Sequence, residues 1–470
     1  MVYLQPDDWK KDSNMKLALG TLLLISLLNA ESLDDALDGF EDEVVVEKGV
    51  QSDKKASTLE DDVMDGFDDV ASTPLSTTPS RSHFDGFTGK LTEQVAYSYS
   101  DDSPHDNISS LKTSLLLDYE HKFDNGFKFK VNGKAYYDAI YEIRGKEKYS
   151  SSELSELQDE VELFDAYIEG SLTNNLDMKL GHQVVVWGRS DTIRITDILN
   201  PLDNRRPGMV DIEDLRLPVA MLKFDYFIGD WRITPIAVVE QRFSKNPATG
   251  SAFNPNPREM LSNESYSDVT PALSVGAEFS GWDINFYASQ TRDDTGYMDN
   301  GKIKHDKVSM IGSAVNILKG SWLLKSEVAH FDGLKYSSAP NKEFKRTDAL
   351  IGLEYNGIAD TLISYDVAVR NLHAYDVRLQ DEQIDVEERT YQHAFRVSSD
   401  FMNATLKANY LISLFGSKLD DGGFQRAWVK YDIADGIYTN IGVVDYIGGS
   451  HRFDAVSNND MAFIDVTYSF

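Results

Sequence analysis

From Thr88 to the C-terminus, the chain is built of short segments in which apolar and polar residues alternate, and turn residues separate these segments. In FKFKVNGKAYYDA, for example, Phe127 and Phe129 fall on one face, whereas Lys128 and Lys130 fall on the other. A period of two is that of a β-strand, whose successive side chains point to opposite faces of the sheet. The pattern predicts an all-β region, but both a soluble sandwich and a membrane barrel show such alternation.

The spacing of the turns favours the barrel. Each pair of consecutive tight turns encloses a strand, a longer polar loop and a returning strand, so that short and long connections alternate. This order is typical of a transmembrane antiparallel β-barrel, in which all short turns lie on one side of the membrane. Counting predicts about eighteen strands, with sixteen as the alternative. The eight tight turns are Asn125-Gly126, Asn174-Asn175, Gly229-Asp230, Ser280-Gly281, Lys319-Gly320, Asn356-Gly357, Met402-Asn403 and Asp435-Gly436.

Aromatic residues support the same architecture. Trp231, Trp282 and Trp322 each follow a short turn at once, which places their rings at one depth, as expected for a membrane interface. The last strand alternates and ends with Tyr468 and Phe470. A terminal aromatic residue of this kind resembles the assembly signal that the barrel-assembly machinery recognises in outer-membrane barrels.

The N-terminal region predicts export. Residues 1–30 contain one continuously apolar segment, Leu17 to Leu28, which is too short to span a bilayer as a helix. With Lys16 before it and Ala30 closing it, the segment is predicted to be a signal peptide for Sec-type export. Met15 is the expected start of translation, because the first fourteen residues do not look like the start of a signal peptide.

Residues 31–83 form a strongly acidic segment, with 15 acidic residues against 4 basic ones. Such a composition cannot bury enough apolar surface to fold alone, so this segment is predicted to be a disordered periplasmic leader. Its sequence DDALDGFED returns as DDVMDGFDD, which suggests short motifs for a periplasmic partner. The barrel itself is predicted to occupy residues 84–470.

Composition excludes several functions. The whole chain has 46 Lys and Arg against 77 Asp and Glu, a formal charge of -31, so a nucleic-acid partner is not expected. The absence of Cys rules out disulfides and thiolate metal sites. The nine His are dispersed, without a GxSxG or HExxH pattern, so we expect no enzyme, cofactor or metal site. A mean hydropathy of -0.37 does not argue against a membrane barrel, whose polar and apolar faces average out.

One long segment, residues 188–218, differs from the other loops because it interleaves Ile and Leu with many Arg and Asp residues. A solvated loop would not need this apolar content, so we expect the segment to fold into the lumen and to be fixed there by Arg–carboxylate pairs. It is predicted either to plug the barrel or to constrict a pore. The candidate constriction residues are Trp187, Arg189, Asp191, Arg194, Asp197, Asp203, Arg205, Arg206, Asp211, Asp214 and Arg216.

The polar positions of the predicted strands are expected to line the lumen, and the apolar positions to face outer-membrane lipid. Both signs of charge are present, so no particular ion is favoured by the inner wall alone. The excess of acidic residues outside the leader predicts a preference for cations. The candidate basic residues of the lumen are Lys128, Lys130, Lys134, Arg232, Arg396, Lys407, Arg426 and Lys430.

The stretch LGHQVVVWGRSD…ILNPLDNRRPG…EDLRLPVAML resembles the Gram-negative outer-membrane family catalogued as domain of unknown function 1302. His182 and Ala220 depart from the family's usual pattern. The resemblance implies an outer-membrane barrel, and it leaves export or uptake of apolar compounds as an open option. The matching residues are Gly181, Gln183, Trp187, Gly188, Asn200, Pro201, Asp203, Arg206, Pro207, Gly208, Leu217 and Pro218.

Two functions remain open from the sequence. The first is a porin-like channel for the passive movement of an unknown small solute or of apolar compounds, constricted by residues 188–218. The second is a plugged structural or docking barrel that works with a periplasmic transport partner. The large strand number favours the channel, whereas the acidic, repeated leader favours the docking protein.

Overall fold

The computed structural model describes residues 86–100, 107–209, 215–255, 261–382, 386–449 and 451–470. The predicted signal peptide (1–30), the Met15 start and the predicted leader (31–83) lie outside the described residues. The boundaries assigned to these segments therefore stay predictions.

Eighteen of the strands form one sheet, and the remaining two form a small hairpin within a loop. The strands are β1 (Phe87–Ser98), β2 (Ile108–Lys122), β3 (Lys128–Asp138), β4 (Asp159–Thr173), β5 (Leu176–Gln183), β6 (Val219–Ile228), β7 (Trp231–Val238), β8 (Thr270–Phe279), β9 (Trp282–Arg292), β10 (Tyr297–Asp299), β11 (Lys302–Lys304), β12 (Lys307–Lys319), β13 (Trp322–Leu334), β14 (Phe344–Ile358), β15 (Thr361–His373), β16 (Arg389–Phe401), β17 (Leu406–Phe415), β18 (Gly423–Ala434), β19 (Ile437–Ile447) and β20 (Met461–Ser469).

Helices occur only in loops of the described chain. They are α1 (Ile140–Arg144), α2 (Ser151–Leu157), α3 (His451–Asp454) and two 3-10 turns, Lys146–Lys148 and Val377–Asp381. None of the helices in the described part of the chain has the length and apolar character needed to cross a bilayer.

The sheet closes on itself. Each barrel strand pairs antiparallel with the next, β9 pairs with β12 across the loop hairpin β10–β11, and β20 pairs with β1 from Lys90↔Ser469 to Ser98↔Met461. The prediction of an antiparallel β-barrel with eighteen strands is confirmed, and the alternative of sixteen is wrong. Closure leaves the wall without a free first or last strand.

Alternation along each strand separates an apolar outer face from an inner face that carries most of the charges. In β13, for example, Lys325, Glu327 and Ala329 are buried, whereas Leu324 and Val328 are exposed. The buried side is the lumen side, because it is covered by a loop that lies inside the barrel, as described below. The exposed apolar side fits hydrocarbon.

The short turns lie at one end of the barrel. Trp231, Trp282 and Trp322 begin strands at this end, and their side chains are 39%, 41% and 48% exposed. The turn predicted at Asn356-Gly357 lies instead between β14 and β15 at 359–360, because β14 continues to Ile358. Asp360 has a φ of 55° there, a conformation that Asp tolerates in tight turns.

The outward position of one residue gives a stability prediction. Ile351, in the middle of β14, is 59% exposed on the outer face. We expect Ile351→Arg to lower the free energy of unfolding by about 2–4 kcal/mol, because its charge would lie in hydrocarbon. The measurement is guanidinium unfolding in phosphatidylcholine vesicles, followed by tryptophan fluorescence. The matched control is Asn409→Arg on the inner face of β17, and equal losses in the two variants would contradict this assignment of the faces.

Candidate functional site

The loop between β5 and β6, residues 184–218 and here called L3, lies inside the barrel. It is described over 184–209 and 215–218. Its first half contacts the inner wall at β9, β13 and β15, and its second half contacts β2, β3, β4 and β19. Because these two sets of strands lie on different sides of the closed barrel, L3 crosses the lumen.

The carboxylate of Glu327 on β13 holds the first half of L3. Its Oε1 accepts hydrogen bonds from the backbone N–H groups of Arg189 (2.6 Å) and Ser190 (2.9 Å). Its Oε2 accepts hydrogen bonds from the backbone N–H (3.2 Å) and the hydroxyl (2.8 Å) of Thr196. Glu327 is only 3% exposed, and these four donors compensate for the burial of its carboxylate.

A second carboxylate of the wall contacts the same part of L3. Asp366 Oδ2 on β15 accepts hydrogen bonds from the hydroxyls of Ser190 (2.7 Å) and Thr192 (2.6 Å). Beside it, Lys325 Nζ lies 3.0 Å from Asp191 Oδ2 and 3.0 Å from Glu354 Oε2. Polar contacts therefore fix several consecutive residues of L3 against the wall.

A third wall carboxylate, that of Asp283 on β9, forms an ion pair with the guanidinium of Arg189. Nearby, the ring of Trp187 stacks on Tyr287 of β9 at 4.8 Å between centroids. Ile193 and Ile195 are 1% and 2% exposed within the apolar cluster that lines this side of the lumen. This packing explains why the segment contains apolar residues among its charges.

Asp197 and Asn200 fix the path of L3 itself. Asp197 Oδ2 accepts hydrogen bonds from the Nε–H groups of Arg194 (3.1 Å) and Arg216 (2.8 Å). The amide of Asn200 donates to the carbonyl oxygen of Leu217 at 2.9 Å. The two ends of L3 are thus joined to each other as well as to the wall.

Arg205 ties the second half of L3 to β3, β4 and the loop between them. Its guanidinium donates to both Asp203 oxygens (2.8 and 2.6 Å), to Glu160 Oε2 (2.6 Å) and to Tyr136 Oη (3.2 Å). Burial alone would raise the pKa of Asp203, but the hydrogen bonds and charge of Arg205 outweigh burial and lower it. The pair is therefore fully charged at neutral pH.

Arg206 and the residues after it reach further around the wall. Arg206 Nη2 lies 3.1 Å from Asp138 Oδ2 on β3, and Asp138 is fully buried. The hydroxyl of Tyr446 on β19 donates to the carbonyl oxygen of Pro207 at 2.5 Å. Met209 packs in an apolar cluster that includes Trp428 of β18.

The next long loop, residues 239–269 and here called L4, braces L3. The backbone N–H of Asn204 donates to the carbonyl oxygen of Lys245 at 2.7 Å, and the N–H of Lys245 donates to that of Leu202 at 2.9 Å. Lys245 Nζ also lies 2.5 Å from Glu160 Oε1 and 3.1 Å from Glu162 Oε2. Three basic residues, Arg205, Arg242 and Lys245, thus meet a set of carboxylates on β4.

The described residues of the predicted constriction therefore all lie in L3, which crosses the lumen. Trp187, Arg189, Asp191, Arg205 and Arg206 contact the wall or the loops beside it, whereas Arg194, Asp197 and Arg216 pair with each other inside L3 and Asp203 pairs with Arg205. The candidates Asp211 and Asp214 lie outside the described residues. Their role as a constriction stays a prediction.

The partners of L3 on the wall were not predicted. Alternation indicates that Asp138, Glu160, Asp283, Glu327 and Asp366 face the lumen, but each lies tens of residues or more from its partner along the chain. Only the closed barrel brings these partners together.

The predicted basic residues of the lumen lie at inward positions of their strands. Most described contacts join them to wall carboxylates, as in Lys128 with Glu169 (2.5 Å), Lys130 with Asp118 (3.4 Å) and Lys430 with Asp432 (3.6 Å). Lys407 lies 3.6 Å from Asp400, and Arg426 lies over the ring of Trp428. Lys134, Arg232 and Arg396 share the inward alternation.

The two residues of the predicted assembly signal lie at the seam between the first and last strands. Phe470 exchanges backbone hydrogen bonds with Gly89 of β1 (2.8 and 3.0 Å). Tyr468 and Phe470 are 40% and 48% exposed, and their rings lie 5.8 Å apart on the outer face. Recognition of this pair by an assembly machinery stays a prediction.

The described residues contain no group of three or more His, Asp or Glu side chains that could hold a metal ion.

Removal of the Glu327 carboxylate tests the attachment of L3. We expect Glu327→Ala to lower the free energy of unfolding by about 3–5 kcal/mol, because several buried donors lose their acceptor. The control is Asp118→Ala, which removes a different lumen carboxylate. Asp118 pairs with Lys130 and accepts a hydrogen bond from Asn132, and it has no described contact with L3. Its removal should lower the free energy of unfolding by about 1 kcal/mol or less. Similar losses in chemical unfolding of the two variants would show that L3 does not depend on Glu327.

The loop before β4 gives a pH-dependent prediction. Glu153 of α2 is 5% exposed, and burial raises its pKa from 4.5 to about 7, against the lowering effects of a hydrogen bond and of Arg206. The folded state therefore binds the proton of Glu153 more tightly than the unfolded state does. The contribution of this proton to the free energy of unfolding is complete below pH 4.5 and is lost as the pH rises towards 7.

Glu153→Gln should therefore unfold at the same denaturant concentration as the wild type near pH 4.5, the ordinary pKa. At about pH 8 the variant should be the more stable protein. Equilibrium unfolding at the two pH values measures the difference, and the exposed Glu147→Gln in the same loop is the control.

No curated protein matches the sequence. Among solved structures, the chain is similar to the outer membrane protein opdK from Pseudomonas aeruginosa (9% identity, 82% of this chain and 98% of that chain covered, TM-score 0.49). It is also similar to OccK8 (OprE) from Pseudomonas aeruginosa (12%, 82% and 98%, TM-score 0.47) and to OccAB1 from Acinetobacter baumannii (9%, 82% and 95%, TM-score 0.49).

The sequence model of the family described as "Protein of unknown function (DUF1302)" matches residues 103–470. The match includes β2 to β20 and the whole of L3. The chain therefore belongs to this family.

Proposed function

We propose that the protein is a non-enzymatic, porin-like channel of the Gram-negative outer membrane, through which small solutes diffuse passively. The proposal rests on one observation. L3 crosses the lumen, and its two halves contact opposite walls of the barrel. A closed barrel of eighteen strands encloses a wide lumen. A loop fixed across it narrows the path and gives the path a defined chemical lining.

The lining favours polar solutes and small ions. Ion pairs such as Lys128–Glu169 and Lys130–Asp118 place both signs of charge along the wall towards the short turns. Near L3, the paired Arg205 and Arg206 add fixed positive groups beside the carboxylates of Glu160 and Asp138. The overall excess of acidic residues would raise the local concentration of cations, so we propose a preference for cations.

Two features support the proposed location in the outer membrane, namely the outer surface of the barrel and the predicted export signal. The apolar outer face and the aromatic residues beside the short turns suit a bilayer. Export by a Sec-type signal peptide, assembly at the C-terminal Phe470 and binding of a periplasmic partner to the acidic leader are parts of the same proposal.

One observation favours a second function. L3 is held by so many buried contacts that it could close the lumen completely, and the protein would then be a structural or docking barrel. The two functions differ in one property, because an open constriction passes ions and a plug does not.

Conductance of the refolded protein in a planar bilayer distinguishes the two functions. A steady conductance with a cation preference in a salt gradient is expected for the channel. A correctly folded barrel that remains silent would contradict the channel and support the docking protein.

The double substitution Arg205→Ala/Arg206→Ala tests the role of L3 in the channel. It removes two positive charges and their ion pairs to Asp203, Glu160 and Asp138, although Glu160 keeps its pair with Lys245. The lining becomes more negative and less obstructed, so we expect a larger conductance and a stronger cation preference. The control is Lys345→Ala/Arg378→Ala, which removes two exposed basic side chains elsewhere. Unchanged conductance in the first variant would show that L3 does not limit the path.

A further inference from the structure

The outer face of the barrel carries a polar patch where β13 to β16 approach the long loops. Residues paired directly across neighbouring strands point to the same face of a sheet. Val328 on β13 is 43% exposed on the outer face, and the polar patch begins two residues later on the same face. It consists of two rows that are paired in register across the strands, namely His330, Thr347, Asn371 and Arg389, and then Asp332, Lys345 and His373.

The polar patch lies near the membrane surface on the loop side. Trp322, at the start of β13, marks the interface on the short-turn side. A strand that rises about 3.3 Å per residue and is tilted by about 45° gains about 2.4 Å of height per residue. His330 and Asp332 therefore lie about 19 and 24 Å above Trp322, against an apolar band of about 25 Å. The polar patch thus begins where hydrocarbon gives way to headgroups.

Hydrogen bonds hold several side chains of the polar patch in place. The hydroxyl of Thr347 lies 2.9 Å from His330 Nδ1 and 2.8 Å from His373 Nε2, so it bridges two imidazole rings. His373 Nδ1 also lies 3.4 Å from the amide nitrogen of Asn371. The rings are therefore positioned before a ligand arrives, which lowers the entropic cost of binding.

Two cations of the polar patch are accessible to an anion. Arg389 is exposed, and its one described hydrogen bond goes to Asn371 Oδ1 at 3.4 Å. Lys345 Nζ lies 2.7 Å from Asp332 Oδ2, but the two side chains are 56% and 47% exposed, so this ion pair is weak. A guanidinium fork, an ammonium group and an imidazole N–H suit the oxygens of a phosphate group.

The opposite side of the barrel differs at the same end. There β1, β2 and β4 present mainly apolar and aromatic side chains, such as Tyr97, Ile108 and Val161, which are 46%, 43% and 88% exposed. Asp159 at the loop end of β4 is exposed and acidic. A general need for polar groups at the membrane surface would place them all around the barrel. The concentration of basic groups on β13 to β16 therefore points to a ligand.

Below the polar patch, the same strands present an apolar surface. Ile351 and Leu353 on β14 and Leu324 on β13 are 59%, 44% and 40% exposed. A molecule whose phosphate contacts the polar patch can lay hydrocarbon chains along these side chains. A phosphorylated lipid fits both parts of this surface, whereas a free phosphate ion uses only the first.

We propose that the polar patch binds the phosphorylated headgroup of a lipid in the outer leaflet. Arg389 and Lys345 contact the phosphate, and His330 and His373, held by Thr347, supply imidazole donors beside them. The inference rests on the proposed location, in which the long loops lie on the outer side of the membrane. It does not depend on whether the lumen passes ions.

Lipid binding to the refolded protein in detergent micelles tests the site. Native mass spectrometry gives the dissociation constants for diphosphoryl lipid A and for dioleoyl phosphatidylcholine, and inorganic phosphate is added as a competitor. The test variant is Lys345→Ala/Arg389→Ala. The control is Lys122→Ala/Lys319→Ala, which removes two exposed lysines at the short-turn end. Heat-resistant migration on gels reports folding, and Arg389→Lys, which keeps the charge without the fork, replaces a test variant that does not fold.

We expect lipid A to bind at least about tenfold more tightly than phosphatidylcholine. The test variant should lose at least about tenfold in affinity for lipid A, because two charge-assisted contacts disappear, and the control should lose none. Equal affinities in the test variant and the control would overturn the site. Competition by inorganic phosphate at the concentration of the lipid would also overturn it, since a site for the free ion needs no lipid.

Conductance separates this site from the proposed channel. Lys345 and Arg389 lie outside the lumen, so the test variant should conduct ions like the wild type. A conducting barrel that does not bind lipid A would overturn the lipid site and leave the channel intact. A silent barrel that binds lipid A through these residues would support the lipid site and contradict the channel.

Discussion

The structure depends on one constraint, which is that backbone N–H and C=O groups in hydrocarbon have no water to bond. Closure of β1 on β20 satisfies this constraint for the wall as a whole. The alternation of apolar and polar residues then follows, because each strand of the closed barrel presents one face to lipid and the other to the lumen. Beyond His182↔Ala166, residues 159–165 of β4 have no partner in β5, and there Arg242 and Lys245 of L4 form ion pairs with Glu162 and Glu160.

Inside the barrel, the corresponding requirement is that buried charges have partners. Wall carboxylates such as Glu327 and Asp138 are buried, and L3 supplies the donors that compensate for this burial. L3 in turn buries Ile193 and Ile195 against the wall. The position of L3 is thus set by polar contacts and apolar packing together, and its shape is as much a property of the barrel as of its own sequence.

The fold could be predicted almost entirely from the sequence, because alternation and turn spacing are local signals. The shift of one turn from Asn356-Gly357 to residues 359–360 shows where local signals are weakest, namely at element ends. The inward fold of residues 188–218 could be inferred from their mixed composition. Their partners could not, because Arg206 and Asp138, or Arg189 and Glu327, meet only through closure of the barrel, which no local pattern encodes.

The long-range contacts of L3 also constrain the order of assembly. Pro207 accepts its hydrogen bond from Tyr446, which lies 239 residues later in the chain, and Met209 packs against Trp428. The second half of L3 therefore cannot reach its final position until the last strands have been added. L3 can take its final position only in a nearly complete barrel. Closure of the wall and insertion of L3 into the lumen are therefore coupled late steps of folding.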